Sequence, residues 1–375
     1  MQSSTINSQV RDISSEAFAA CASFGPDYGV AEDKPAARYS NEVERLWAME
    51  VAPLLSPPNS KGRFAGAKQS CPERSCAAYA VMPPGAASLV YRNPDAFENI
   101  FCAEGEVQVA FEPDHIVTLG QYDLLSVPVN VKHRILNNGA SPARLVIILN
   151  AGASSTYPAI FETSAASQVL ADAAAELSVS FDAENGATAE AAEIDSRISR
   201  FSKLVAYKND LHRTAGIPPE ATEMLSAGSV FPLIVPVGHI GRSRTAPMYG
   251  NPGLYLSIAE CMPGTDDAPP PHAHSDTQEN FFVLDGDWDI LGGRERELVI
   301  PARAHDLVAA PPGIMRTFLN KTDKKARLLV IIQGPEQMND TVTFSAEVGA
   351  EIARRFGQET IEAYSKIRMA FEVAA

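Results

Sequence analysis

Long apolar runs are missing from this 375-residue sequence, and nothing in it approaches the ~20 residues a helix needs to cross a bilayer. No membrane-spanning helix is therefore expected. Basic stripes are missing too: 31 Lys and Arg stand against 46 Asp and Glu, for a net charge of −15. That balance argues against a nucleic-acid footprint and suits a protein that stays in solution. Cysteine is scarce. The five residues Cys21, Cys71, Cys76, Cys102 and Cys261 form an odd set with no repeated spacing. Cys71 and Cys76 resemble half a zinc site, but no second pair of Cys or His follows at the interval such a site requires, so reduced thiols are expected. The opening MQSSTINSQVRDISSEAF has no basic segment ahead of an apolar core, which predicts no secretory signal and a cytoplasmic location. Neither a Gly-rich phosphate loop nor a Gly-x-Ser-x-Gly nucleophile elbow is present.

What the sequence does contain is enough apolar material to fold, 45% hydrophobic against 21% charged, over a length that suits two domains with extensions. It also contains a repeat. ENIFCAEGEVQVAF from Glu98 matches ENFFVLDGDWDILG from Glu279, each with a glycine seven residues after the glutamate, at Gly105 and Gly286. DLLSVPVNVKHRILNN (Asp123 to Asn138) parallels DLVAAPPGIMRTFLNK (Asp306 to Lys321), and ARLVIIL from Ala143 parallels ARLLVII from Ala326. The offset is 181 in the first block (98 to 279) and 183 in the later ones (123 to 306), which predicts two extra residues in one loop of the second copy.

Within each copy, short runs of Val, Ile, Leu and Phe are broken by turn pairs such as Pro84-Gly85, Asn138-Gly139, Asp285-Gly286 and Gly292-Gly293. This spacing predicts an all-β core of sandwich or barrel type. Helical spacing is read outside the repeats: from about Ser40 to Leu55, over 165–177 and 188–204, and once or twice in the C-terminal stretch.

The second copy carries the most chemistry. In PPP-His272-Ala-His274-Ser-Asp-Thr-Gln-Glu279, residues two apart on a strand share a face, so both imidazoles look into the barrel. The Ser-Asp-Thr-Gln stretch turns the chain and lets Glu279 open the next strand toward the same point. Two imidazoles and one carboxylate with open coordination positions suit a divalent ion. Fe(II) is the first expectation, with Mn(II), Zn(II) and Ni(II) as alternatives.

On these residues the chain resembles the cupin superfamily. The family's first motif, His-x-His, three or four residues, Glu, six residues, Gly, is matched in full by His272, His274, Glu279 and Gly286. Its second motif, Pro-x-Gly, two residues, His, three residues, Asn, is matched by Pro311, Gly313 and Asn320, but Arg316 stands at the histidine. The resemblance covers roughly residues 75–150 and 228–335. It implies two tandem cupin barrels, of double-stranded β-helix or jelly-roll form. The expected division is a helical N-terminal extension (1–74), cupin domain 1 (75–163), a helical linker (164–227), cupin domain 2 (228–340) and a C-terminal helix (341–375).

A guanidinium has no lone pair to give a metal. Two readings follow. Either three protein ligands hold the ion and Arg316, as a catalytic group, holds a substrate anion beside it, or Arg316 pairs with Glu279 and occupies the metal position. In the first copy the histidine positions hold Tyr91 and Asn93, while Glu98 and His133 remain. Asn93, Glu98 and His133 form a possible second metal site, or a decayed one kept for packing. His239 and His305 are read as strand-edge residues, on the surface or supporting the ligands rather than ligating, and His212 as a solvated connector residue. Phe281, Phe282, Trp288, Met315 and Phe318 are read as barrel residues, some of them facing a pocket.

Bicupins of this length resemble gentisate-type and hydroquinone-type ring-cleaving dioxygenases, which implies an Fe(II) dioxygenase acting on a small aromatic or other anionic substrate. The alternatives are a non-redox isomerase, lyase or decarboxylase, and a non-catalytic small-molecule-binding protein in which Arg316 replaces the metal. A small-molecule substrate and a homodimer paired through barrel edges complete the expectation.

Overall fold

The computed structural model describes residues 10–25, 46–151, 156–162, 177–182, 185–206, 215–239, 246–264 and 267–373. The chain divides into two compact units. One comprises Gly25–Leu204 and Pro247–Gly253; the other comprises Met1–Phe24, Val205–Ala246 and Leu254–Ala375.

Each unit is a two-sheet β-barrel. In the first, one sheet runs Ile198–Ser199, Leu124–Val127, Ala96–Glu104, Ala143–Ala151, Ser75–Met82, Glu50–Ser56 and Gln69–Ser70. The facing sheet runs Val179–Phe181, Ala159–Phe161, Tyr91–Arg92, His133–Leu136, Val107–Phe111 and His115–Leu119. In the second barrel, one sheet runs Ala22–Ser23, Leu307–Ala310, Gln278–Val283, Ala326–Gln333, Leu254–Cys261 and Ser229–Val235. Its partner runs Leu298–Arg303, Asp287–Gly292, Arg316–Asn320, His272–His274, Val342–Phe344 and Met369–Phe371.

Alternation decides which side chains enter the barrels. Val107, Val109 and Phe111 are buried while Gln108 and Ala110 between them are half-exposed. Ile300 and Ala302 are buried while Val299, Pro301 and Arg303 are exposed. Phe281, Trp288, Ile290, Phe318, Leu328 and Val330 fill the second core. Ile100, Val109, Ile135, Leu145 and Ile147 fill the first. Full burial of each such side chain contributes about 1.5–3 kcal/mol.

The strand registers reproduce the repeat. Glu98 pairs with Val127 and Leu149, as Glu279 pairs with Ala310 and Ile332. His133 pairs with Tyr91 and Phe111, as Arg316 pairs with His272 and Gly292. The two added residues lie in one hairpin. Phe111 faces His115 across residues 112–114, whereas Gly292 faces Leu298 across residues 293–297. The motif asparagines tie the following turns alike. Asn137 donates to Met82 O and Ser141 O, and Asn320 donates to Cys261 O and Lys324 O. Gly286, with φ of +83°, has no room for a side chain, since a Cβ there would lie 2.6 Å from that of Ala326.

Several helical expectations are corrected. Of the stretch read as a helix from about Ser40 to Leu55, residues 40–45 lie outside the described residues and 46–47 are helical. The remainder, from Glu50, forms the strand Glu50–Ser56, paired with Ser75–Met82 and irregular at Pro53. Proline cannot donate within a helix, and the β-branched and apolar neighbours fit a sheet. Over 188–204 the only α-helix is Ala191–Asp195, followed by the strand Ile198–Ser199 and a single 3₁₀ turn. The helix read over 165–177 lies outside the described residues apart from Leu177, and His212 lies outside them entirely. The N-terminal extension is not one helical unit either. Ser15–Ala19 forms a short helix capped by Ser14, and Ala22–Ser23 pairs with Leu307–Val308 of the second barrel. The C-terminal helices, Ala346–Phe356 and Gln358–Lys366, are flanked by Val342–Phe344 and Met369–Phe371, which complete a barrel sheet beyond the expected boundary at 340. No helix among the described residues is long and apolar enough to cross a membrane.

Candidate metal centre in the second barrel

His272 and His274 occupy a three-residue strand, and Glu279 lies near the start of Gln278–Val283, as the alternation and turn require. All three are buried. One ligand atom from each lies within 4.8 Å of the others, a grouping found at no other set of His, Cys, Asp and Glu among the described residues.

The tautomers are set by what stands behind the rings. His272 Nδ1 lies 3.0 Å from Pro270 O, a carbonyl that can only accept, so Nδ1 carries the proton. His274 Nδ1 lies 3.0 Å from Asp340 Oδ2 and 2.8 Å from Thr277 Oγ1, whose own hydroxyl donates to Asp340. Both Nε2 atoms therefore turn toward Glu279 Oε2, at 3.7 Å and 3.9 Å, too far for hydrogen bonds. A carboxylate behind a ligating imidazole fixes the ring and raises its basicity.

Burial pushes the His272 pKa down to about 4, with the Arg316 charge and His274 acting in the same sense and Glu279 opposing them. The ring is neutral at ordinary pH. Burial opposes ionisation of Glu279, but Arg316 and the two histidines outweigh it and hold the carboxyl well below the usual range. Asp340 is held low in the same way by His274 and Thr277. The lone pair of neutral His272 and the ionised carboxylate of Glu279 face one point, with His274 Nε2 beside them, an arrangement that a cation between them would satisfy. The donor set therefore fits a divalent ion held by His272, His274 and Glu279.

Arg316 takes a different place from the one expected of a substrate-holding residue. It is fully buried and does not line the cavity beside the cluster. Its Nε donates to Glu279 Oε2 at 2.9 Å, and Nη2 lies 2.8 Å from the same oxygen. Nη1 donates to His272 O and Ile314 O. The guanidinium thus braces Glu279 and the strand bearing His272 from behind.

The cavity, about 120 Å³, is lined by His272, His274, Glu279 and Asp340 on one side and mainly by apolar residues elsewhere, among them Val230, Phe318, Val330, Ile332 and Met338. His239 also lines it and bonds through Nδ1 with Met338 O, so it is not merely an edge residue. His305 sits in a turn beside Phe282 and takes no part in the cluster. Of the aromatic and methionine positions singled out, only Phe318 reaches the cavity, and the others are buried in the protein.

The first barrel brings Tyr91, Asn93, Glu98 and His133 together but closes the site. Glu98 accepts from Tyr91 at 3.0 Å, from Asn93 at 2.5 Å and from His133 Nε2 at 3.1 Å, and Arg63 takes a further position on Oε1. His133 Nδ1 lies 3.0 Å from Val131 O, so both ring nitrogens are already engaged by the protein. Burial opposes ionisation of Glu98, yet Arg63 and His133 hold its pKa down to about 2. Arg63 stacks over Trp47, Phe64 and Tyr91. Sequence reasoning missed the roles of Arg63, Asp340 and Thr277. No repeat position carries Arg63 or Asp340, so only the folded chain reveals them.

The cupin domain family model matches residues 78–149 and 257–332, one match in each barrel. The chain therefore carries two cupin domains in tandem, one in each barrel. Among solved structures it is similar to the Lactobacillus farciminis oxalate decarboxylase formate complex, at 15% identity and a TM-score of 0.46, covering 70% of this chain and 78% of that one. It is also similar to Bacillus subtilis oxalate decarboxylase at pH 4.6, at 14% identity and a TM-score of 0.45, covering 70% and 69%. Vicilin from Corylus avellana (hazelnut) is similar at 12% identity and a TM-score of 0.47, covering 76% and 80%. No curated protein matches the sequence.

Proposed function

We propose that this bicupin is a divalent-metal-dependent enzyme acting on a small organic anion, with one working site, in the second barrel. The observation that carries this reading is the pair of imidazole rings, fixed from behind by Pro270 and Asp340, with both Nε2 atoms turned on Glu279. A divalent ion there supplies a Lewis acid for a carboxylate or carbonyl oxygen. Because Arg316 offsets the charge of Glu279, the ion keeps most of its own charge, which favours an anionic ligand in the open positions. The apolar wall accepts the body of such a molecule and keeps water away.

The same ion pair favours non-redox chemistry, such as that of an isomerase, lyase or decarboxylase. A guanidinium on the ligating carboxylate withdraws electron density and disfavours a higher oxidation state of the ion. His239 and Asp340 on the cavity wall are the groups placed to hold or move a proton. A second reading, an Fe(II) dioxygenase, is favoured by the two-histidine, one-carboxylate set with its mainly apolar surroundings.

The full chain loaded separately with Mn(II), Zn(II) and Fe(II) separates the two when small organic acids are screened with and without oxygen. Turnover under nitrogen supports the non-redox reading. Turnover that consumes oxygen stoichiometrically, and only with iron, contradicts it.

A further inference from the structure

Arg368 lies in the turn between the helix Gln358–Lys366 and the strand Met369–Phe371, with a left-handed backbone φ of +59°. Just past a helix end, that conformation favours glycine or asparagine, and a long side chain there costs stability. The main chain is tied on both sides, with Arg368 N donating to Ser365 O and Arg368 O accepting from Val342 N. The side chain, by contrast, makes no hydrogen bond or ion pair among the described residues and is exposed.

Its position gives that cation a use. Arg368 and Met369 line both the metal-site cavity and a neighbouring surface groove. The groove also presents Lys366, Ser365 and Thr341, and has no carboxylate in its lining. Among the described residues neither Arg368 nor Lys366 has an ion-pair partner, and the exposed Arg368 lines the same cavity as His272, His274 and Glu279, with Lys366 in the adjoining groove.

From this we infer that Arg368 is a specificity-determining residue, and that the substrate is a small acid with two anionic groups, one for the metal centre and one for Arg368. The inference rests on the metal-dependent reading of the cavity. Lys366 adds attraction at the mouth without a defined contact. A monoanion gains only the inner interaction, whereas a dianion of matching length gains both. Arginine suits the outer role because its planar fork grips a carboxylate by two hydrogen bonds.

The test is calorimetric titration of the metal-loaded full chain with straight-chain dicarboxylates from malonate to adipate, each against the monocarboxylate of equal carbon number. The parent protein is expected to prefer one dicarboxylate by roughly tenfold or more. Arg368→Ala should abolish that preference and leave monocarboxylate binding unchanged. Arg368→Gly should abolish it too while raising the melting temperature, because glycine relieves the left-handed backbone. A preference that survives in both variants, or that is absent from the parent, overturns the inference. If the metal-free chain binds monocarboxylates as tightly as the loaded chain, the metal-centred reading fails instead.

Discussion

Arg316 and Glu279 form a buried ion pair in which guanidinium Nε and Nη2 both approach one carboxylate oxygen, at 2.9 Å and 2.8 Å. This places a fixed positive charge on the carboxylate that a metal held here would share. It also explains how the second barrel tolerates losing the imidazole its family uses at this position. Arg316 is not a fourth ligand. It is a brace for the third.

Truncating that brace should uncover a buried charge. Arg316→Met is expected to destabilise the metal-free chain by about 3–5 kcal/mol, the cost of stranding a buried carboxylate. Added divalent metal should recover part of the loss, because the ion then neutralises Glu279. Arg316→His, which restores an imidazole, should raise metal affinity above that of the parent. Denaturant melts with and without chelator read the first two effects and calorimetry reads the third. Equal stability of parent and Arg316→Met in chelator contradicts the account.

The first barrel should behave as packing. Glu98→Gln removes the charge that Arg63 and His133 both engage, and should cost roughly 3 kcal/mol or more of stability. Metal stoichiometry should not change. Glu279→Gln should abolish metal binding and should also cost stability, because it strands the buried guanidinium of Arg316. Metal content measured on the two variants side by side distinguishes these roles, and metal lost from Glu98→Gln would place a working site in the first barrel.

Asp340 lies outside both family motifs yet accepts from the Nδ1 of a candidate ligand. Asp340→Asn keeps an acceptor for His274 but removes its charge, and metal affinity should fall about 10–100-fold. Thr277→Val should have a smaller effect, since Asp340 still holds the ring. Competition with a metal-binding dye measures both. Unchanged affinity in Asp340→Asn would mean that the carboxylate only packs.

Acid should weaken the metal-free fold in two stages. His272 has its pKa lowered to about 4, from an ordinary value of about 6.5, so the unfolded chain takes up the proton first. Stability is complete above about pH 6.5 and falls as the pH drops toward 4. Glu98, lowered to about 2, adds stability that is present above its ordinary carboxylate range and is lost as the pH falls from about 4.5 toward 2. Glu279, held low by Arg316, acts in the same sense. Chemical denaturation across pH in chelator should show both declines, and His272→Phe should remove the upper one. A flat profile between pH 6.5 and 4 in the parent would contradict the buried neutral imidazole.

The sequence carried the second-barrel cluster plainly, because His272, His274 and Glu279 are close in the chain and the strand period alone turns the two rings inward. The repeat offsets carried the topology as well, down to the two residues that residues 293–297 add over 112–114. Arg316 was legible as a residue unable to bind metal, and its pairing with Glu279 was one of two readings. What the sequence did not carry is that it approaches the carboxylate from behind and leaves the cavity side open. That depends on a buried side chain reaching across strands that are 37 positions apart. Arg63 and Asp340 were silent for the same reason, since their partners lie 35 and 66 positions away. Around Glu50 to Ser56 the apolar spacing suited a helix, and only pairing with Ser75–Met82 selects the strand. Local periodicity cannot report such a partner.

The most direct measurement is elemental analysis of the purified full chain beside its His272→Ala and Glu98→Gln variants. One equivalent of a divalent metal is expected in the parent and in Glu98→Gln, with none in His272→Ala. A parent that holds no metal after incubation with excess Mn(II), Zn(II) and Fe(II), or a His272→Ala variant that retains a full equivalent, would contradict the second-barrel metal centre.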